Sequence, residues 1–259
     1  MKNFFEWTAW TMERPQAYGA FHLLFFLIGL AVVIGLAYLL SKANDKQNKI
    51  ILIVSASVLL VFEIYKQLFY YYVIGNGSYQ WWIFPFQLCS APMYLCFVAV
   101  FLKPGKIQNA IFNFMLAFNL MSGFIAFLEP SGLTHEYWTL TIHAFTWHLL
   151  IVFVGLYLGM SGRAGRTFKE YKGASIVFAI LCGIAFIINV SLWKVSNHSV
   201  NMFYVGPVNS PLIVFKQISE SIGWYFNTLL YIPCLCLAAF LFFMPFCLVY
   251  KRRHSVISD

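Results

Sequence analysis

The stretch FPFQLCSAPMYL, residues 84–95, places Gln87, Cys89 and Ser90 between two prolines, in a segment whose other residues are almost all apolar. An apolar run of this kind reads as membrane-embedded. Polar side chains and proline breaks inside it then need an explanation other than helix formation. The rest of the chain sets the terms. It is 61% hydrophobic and 20% aromatic but only 10% charged, too little polar surface to cover a soluble domain. The composition predicts an all-α polytopic membrane protein.

Seven segments are long and apolar enough to cross a bilayer, which takes about 20 residues each: 19–41, 50–74, 83–102, 107–128, 138–160, 173–193 and 224–250. No internal repeat or low-complexity linker divides them, so residues 1–259 read as one seven-helix transmembrane domain. The N-terminus has no short apolar run ending in a cleavage-type site, so no removable leader is expected. The net charge of +8 could point to nucleic acid. Instead, the basic residues gather in short loops at alternate ends of the spans, at 42–49, 103–106, 161–172 and 251–253. By the positive-inside rule these loops face the cytoplasm, with the N-terminus outside and the C-terminus inside. All eight tryptophans fall towards the opposite end. The long loop 197–223 lies there too. Its apolar residues at 212, 215, 218 and 222 share one helical face, which predicts a short interfacial helix starting at Ser210-Pro211.

Ionisable and amide side chains inside spans are costly and usually face a bundle interior or cavity. Here they are His22, Glu63, Lys66, Gln67, Gln87, Asn113, Asn119, His143, His148, Asn189 and Asn227. Counting about 1.5 Å per residue from the tryptophan-rich end puts Cys89 roughly 9 Å deep, His143 roughly 8 Å and His148 roughly 15 Å. Glu63 and Lys66 come out near 16 Å and 12 Å by the same count. Glu63 and Lys66 are three apart, so they share a helix face and can pair. His143 and His148 are five apart, about 140° around a helix, which is poor geometry for one metal; no metal or cofactor is expected. All six cysteines lie in spans and none in a loop, which argues against a disulfide framework. Most read as packing residues. Cys89 differs, because a thiol beside a helix break and at the depth of a histidine can become a nucleophile.

Several stretches resemble a known bacterial group. MERPQAYGAFHLLFF (12–26), FPFQLCSAPMYL (84–95), FIAFLEPSG (124–132), IHAFTWHLLIV (142–152), VNMFYVGPVNSPL (200–212) and SIGWYFNTLLYIP (221–233) occur in order along nearly the whole chain. Together they resemble the YwaF-like integral membrane proteins. That group is distantly similar to transmembrane phospholipid acyltransferases that use cysteine and histidine, and to intramembrane fatty-acid-ester hydrolases that use threonine and histidine. The resemblance implies Cys89 as nucleophile with His148 as base by its spacing along the chain, whereas depth favours His143. Where relatives commonly read His-Leu-Cys, this chain has Gln87-Leu88-Cys89, and it has Asn201-Met202 where Asn-Tyr is usual.

The expected function is therefore acyl transfer or ester hydrolysis on a membrane lipid in the bacterial plasma membrane. Glu63, Lys66, Gln87, Asn119, His22 and Asn201 are expected to support the polar cavity. The competing expectation is a transporter or binding component with a mid-membrane polar site, in which Glu63 and Lys66 relay protons. A third is a structural partner whose polar residues are interhelical glue.

Overall fold

The structure, a computed structural model, describes residues 1–255. It is all-helical, with no strand among the described residues. Six helices are long and apolar enough to span a membrane. Helix α1 is the short Lys2–Trp7. Helix α2 runs Ala20–Leu40, and α3 runs Asp45–Phe69, continuing through a π-helical turn at Tyr70–Ile74. The start of α3 is fixed by a capping box: the Asn44 side chain accepts from the Gln47 amide and the Gln47 side chain from the Asn44 amide, each at 2.9 Å. It therefore begins five residues ahead of the apolar run.

The expected third span behaves differently. Residues 81–90 form loop and two 3₁₀ turns, Trp81–Ile83 and Leu88–Ser90, and only then does α4, Ala91–Phe101, begin. An 11-residue helix covers about 16 Å, roughly half a hydrocarbon core of about 30 Å. The prolines do not break the interior of a helix: one precedes α4 and the other lies at its start. Pro85 lies in the loop, and Pro92 sits in the first turn of α4, where a missing N–H costs nothing.

Helices α5 (Lys106–Phe114) and α6 (Leu120–Leu128) are joined by a π turn at Met115–Asn119 into one membrane-length element. Helix α7, Trp138–Met160, is the axis of the bundle, packed against α2, α3 and α6. Small residues set how closely α6 and α7 approach. A side chain at Gly123 would strike Val152 and the His148 carbonyl, and one at Gly155 would strike Leu120. Helix α8 is Tyr171–Ser191, α9 is Ile213–Ile222 and α10 is Trp224–Ser255. A short helix is present in this loop, but it begins at Ile213 with Leu212 as its cap. Ser210 instead accepts the Leu212 amide within the preceding turn.

The long loop does more than cover the surface. Val200, Met202, Phe203 and Val205 are fully buried, so residues 200–206 dip into the bundle. Asn189 of α8 holds them there: its side chain accepts from the Met202 amide at 2.6 Å and donates to the Met202 carbonyl at 3.0 Å. Phe203 and Tyr204 both sit at positive φ (53° and 54°), a region that non-glycine residues avoid unless their surroundings impose it.

Candidate functional site

The buried polar group is built outward from α3. Glu63 is 3% exposed and fully engaged. Lys66 Nζ lies 2.9 Å from its carboxylate, and Gln67 Nε2 donates to it at 2.6 Å. Gln67 Nε2 also reaches the Ile83 carbonyl at 2.7 Å. The i, i+3 and i, i+4 spacing of one helix thus ties an ion pair to the loop that carries the chain towards Cys89. Lys66 Nζ then stands 5.8 Å from the centre of the Trp147 ring on α7, within cation–π range. Trp147 Nε1 donates to the Cys89 carbonyl at 3.1 Å.

Cys89 lies on the 3₁₀ turn at the mouth of α4, half-buried. It packs beside Leu59, Met93, Trp147 and Ile151, with Phe62 and Leu150 at the edge. Lys66 and Glu63 are both within electrostatic reach of its thiol. Asn119, on the π turn, donates from Nδ2 to the Leu88 carbonyl at 2.8 Å and so pins the residue before it. The other amide atom, Asn119 Oδ1, is buried with no hydrogen bond.

The two α7 histidines face different neighbours, as five-residue spacing requires. His143 stacks on Trp147 with ring centres 5.6 Å apart, and its Nε2 lies 3.1 Å from the Phe62 carbonyl. His148 presents its edge to Phe127 of α6, and its Nδ1 lies 2.7 Å from the Ala144 carbonyl. A carbonyl only accepts, so the bonded nitrogen of each ring carries the proton and the other carries the lone pair. His148 therefore offers Nε2, and His143 offers Nδ1. His148, like Cys89, is within electrostatic reach of Lys66. Among the described residues no hydrogen bond joins the Cys89 sulfur to either imidazole.

The remaining expected residues shape the walls. His22 is 1% exposed; its Nδ1 accepts from the Tyr18 amide at 3.0 Å, and its ring stacks on the far side of Phe127. Gln87 is a clamp between loops: Oε1 accepts from the Phe203 amide at 2.9 Å, and Nε2 donates to the Asn201 carbonyl at 3.1 Å. Asn201 is spent within its own loop, its side chain accepting from the Gly206 amide at 2.9 Å. The residue directly after clamped Phe203, Tyr204, comes within electrostatic reach of Cys89 and Glu129.

Trp147 and Tyr204 were not singled out by the sequence, and Asn189 stood out only as one of the polar side chains inside spans, without its partner. For Trp147 a signal existed: in HAFTWH it stands four residues from His143, on the same face. For the other two, only the inward fold of loop 200–206 reveals the role. A groove of 720 Å³ also opens on the side of the bundle between α3 and α7, with Val61, Phe62 and Tyr65 on one wall and Trp138, Ile142 and His143 on the other.

Fold and site together define a multi-pass helical membrane protein with a buried polar centre at its tryptophan-rich end. The chain belongs to the TMEM164 family, which matches it over residues 17–248, from just ahead of α2 to near the end of α10. No curated protein and no solved structure matches it significantly.

Proposed function

We propose that the protein is an intramembrane lipid-modifying enzyme that moves or hydrolyses an acyl ester through Cys89. The observation that carries this reading is the setting of that thiol. It lies at the entrance of a half-length helix and beside a buried Lys66–Glu63 pair, and two residues before it Gln87 holds a loop that dips into the bundle. Irregular backbone at membrane depth is tolerated where it lines a cavity.

In the proposed reaction His148 Nε2 takes the thiol proton while sulfur attacks the ester carbonyl. The tetrahedral oxyanion collapses and expels the alcohol oxygen, which receives the proton from His148 and leaves an acyl-thioester. Water or a second alcohol then attacks the thioester, giving its proton to His148, and the thiol is restored. Gln87 and the Asn119 amide nitrogen are spent on backbone carbonyls. The donors left for the oxyanion are the Lys66 ammonium and the Tyr204 hydroxyl.

The basic loops support a cytoplasmic location for the opposite end, and in this reading the site faces the outer leaflet, with the N-terminus outside. Counting the 81–90 loop and α4 as one crossing gives seven. In this reading the substrate is a lipid of the bacterial plasma membrane, in line with the resemblance to YwaF-like proteins. A proton-relay role for Glu63 and Lys66 has less support, because Gln67 ties the pair to Ile83 as a structural brace.

The test is to incubate the full chain in vesicles of phosphatidylcholine with an isotope-labelled acyl chain and to seek a hydroxylamine-sensitive adduct by peptide mass spectrometry. A labelled Cys89 peptide is expected. It should be absent in Cys89→Ala, and its formation in His148→Ala should fall by about 10²–10⁴-fold. A thioester that persists in Cys89→Ala, or none in the intact protein, would refute the proposal.

A further inference from the structure

Cys89 is not among the residues lining the groove between α3 and α7; Phe62 lines it and packs against the same Leu59, Met93, Trp147 and Ile151 cluster that Cys89 packs against. At 720 Å³ it has the size of a small-molecule pocket, which typically runs about 300–1,000 Å³. Its rim residues Val61, Trp138 and Ile142 are exposed and apolar, continuous with the lipid-facing surface of both helices. Its floor is Phe62, Tyr65 and His143, all partly buried. One end is closed by the N-terminal segment, where Tyr65 donates its hydroxyl to Thr8 Oγ1 at 2.8 Å and Thr139 donates to the Thr8 carbonyl at 3.2 Å. Those polar groups satisfy one another. His143 is different. Its Nε2 is committed to the Phe62 carbonyl, and its Nδ1 lone pair is used by no hydrogen bond among the described residues.

We infer that this groove is a binding site for a single-chain lipid bearing a hydroxyl, with the hydrocarbon chain along α3 and α7 and the hydroxyl donating to His143 Nδ1. Membrane depth and an apolar wall select the chain. An unused acceptor at the floor selects a head group that can donate, and excludes an ether or methyl ester at that point. The site does not depend on the Cys89 chemistry, and it gives the two α7 histidines separate tasks.

The experiment uses the full chain in phosphatidylcholine vesicles with two photoactivatable probes, a long-chain fatty alcohol carrying a diazirine on its chain and the methyl ether of the same molecule. Adducts are mapped by peptide mass spectrometry. The alcohol should label the α3 and α7 peptides containing Val61–Tyr65 and Trp138–His143 in excess of the lipid-facing peptides of α2 and α8. The ether should label them about fivefold less, the loss of one hydrogen bond. His143→Phe should erase the difference between probes, and His143→Gln, which keeps an acceptor, should retain it. Ile142→Trp, which fills the groove from its lipid-facing rim, should reduce both labels while leaving maleimide reaction at Cys89 unchanged, a check on folding. A Cys89→Ala background should give the same map, so loss of labelling there counts against the groove and not against the acyl-enzyme. Labelling spread evenly over α2, α3, α7 and α8 would show only a lipid shell and overturn the site. Equal labelling by alcohol and ether would overturn the role of His143.

Discussion

The two ends of the bundle are closed by different chemistry. At the basic end the loops are short and the closures are charged or capped: Arg163 meets Asp45 at 2.7 Å, Arg166 meets Glu170 at 3.0 Å, and Asn44 and Gln47 box the start of α3. At the tryptophan-rich end long segments fold over or into the helices and are held by neutral amides. Asn189 grips Met202, Gln87 grips Asn201 and Phe203, Asn119 grips Leu88, and Gln67 grips Ile83. Surface ion pairs are worth little and can be exchanged freely. A buried amide bonded to backbone is costly to lose, because it leaves the backbone group unpaired in an apolar medium. The difference marks which end tolerates change and which is committed to one shape. The committed end also carries the strained φ values and the Cys89 turn.

Asn189→Leu should break that contrast most severely. Asn189 is fully buried and serves both the donor and the acceptor of Met202, so the change strands two buried groups at about 1–3 kcal/mol each. The expected outcome is a large drop in thermal stability together with fast hydrogen exchange across 200–206. A variant that melts like the parent would show that the loop is not held this way.

Gln87→Leu comes next, at about 1–3 kcal/mol, since Gln87 is only half-buried and water can replace part of what is lost. Its more telling effect is local. With the clamp gone the loop bearing Tyr204 should lift, and Cys89 should react faster with a water-soluble maleimide. Unchanged maleimide kinetics would argue that Gln87 joins the two loops without controlling access.

How far these features could be read in the sequence depends on what each one rests on. Six of the expected spans match long helices, because apolar runs of that length satisfy their own backbone only as helices. The 83–102 segment shows where the rule fails. Apolarity reports burial, and residues 81–90 are embedded as loop because side chains of neighbouring helical segments, Gln67, Asn119 and Trp147, satisfy their backbone carbonyls. Pro85 and Pro92 signalled a break, but not that the helix starts only after it. The polar residues were legible one at a time through their cost in lipid. Their partners were not, since Gln87 and Phe203 are 116 positions apart and no local pattern links them. The 140° between His143 and His148 was readable, and the structure uses it to point them at Phe62 and Phe127.

At the basic end Arg163→Ala should cost only about 1 kcal/mol, and most of that should come from its 2.9 Å bond to the Ala43 carbonyl. Asp45 is 88% exposed, so the ion pair itself is screened. The stability difference between this variant and the parent should barely change between low and high salt. A strongly salt-dependent difference would show that charge holds this end after all.

The smallest effect sharpens the comparison through a titratable group in a turn at the tryptophan-rich end. His135 lies in the turn between α6 and α7, where Arg14 donates to Thr134 Oγ1 at 3.0 Å and to the Ser131 carbonyl at 2.6 Å. Burial and the nearby Arg14 charge hold the His135 imidazole below its ordinary value of 6.5, against a hydrogen bond to the Gly132 backbone that raises it. His143 is the other titratable ring within electrostatic reach. Because the folded state binds the proton less readily than the unfolded chain, stability is intact above 6.5 and declines as pH falls through it. His135→Gln should remove that part of the decline, flattening the difference in melting temperature between about pH 7.5 and pH 5.5. The parent should also expose the 129–137 turn to protease more readily at the lower pH, and the variant should not. If parent and variant respond to acid alike, His135 is not what loosens this cap.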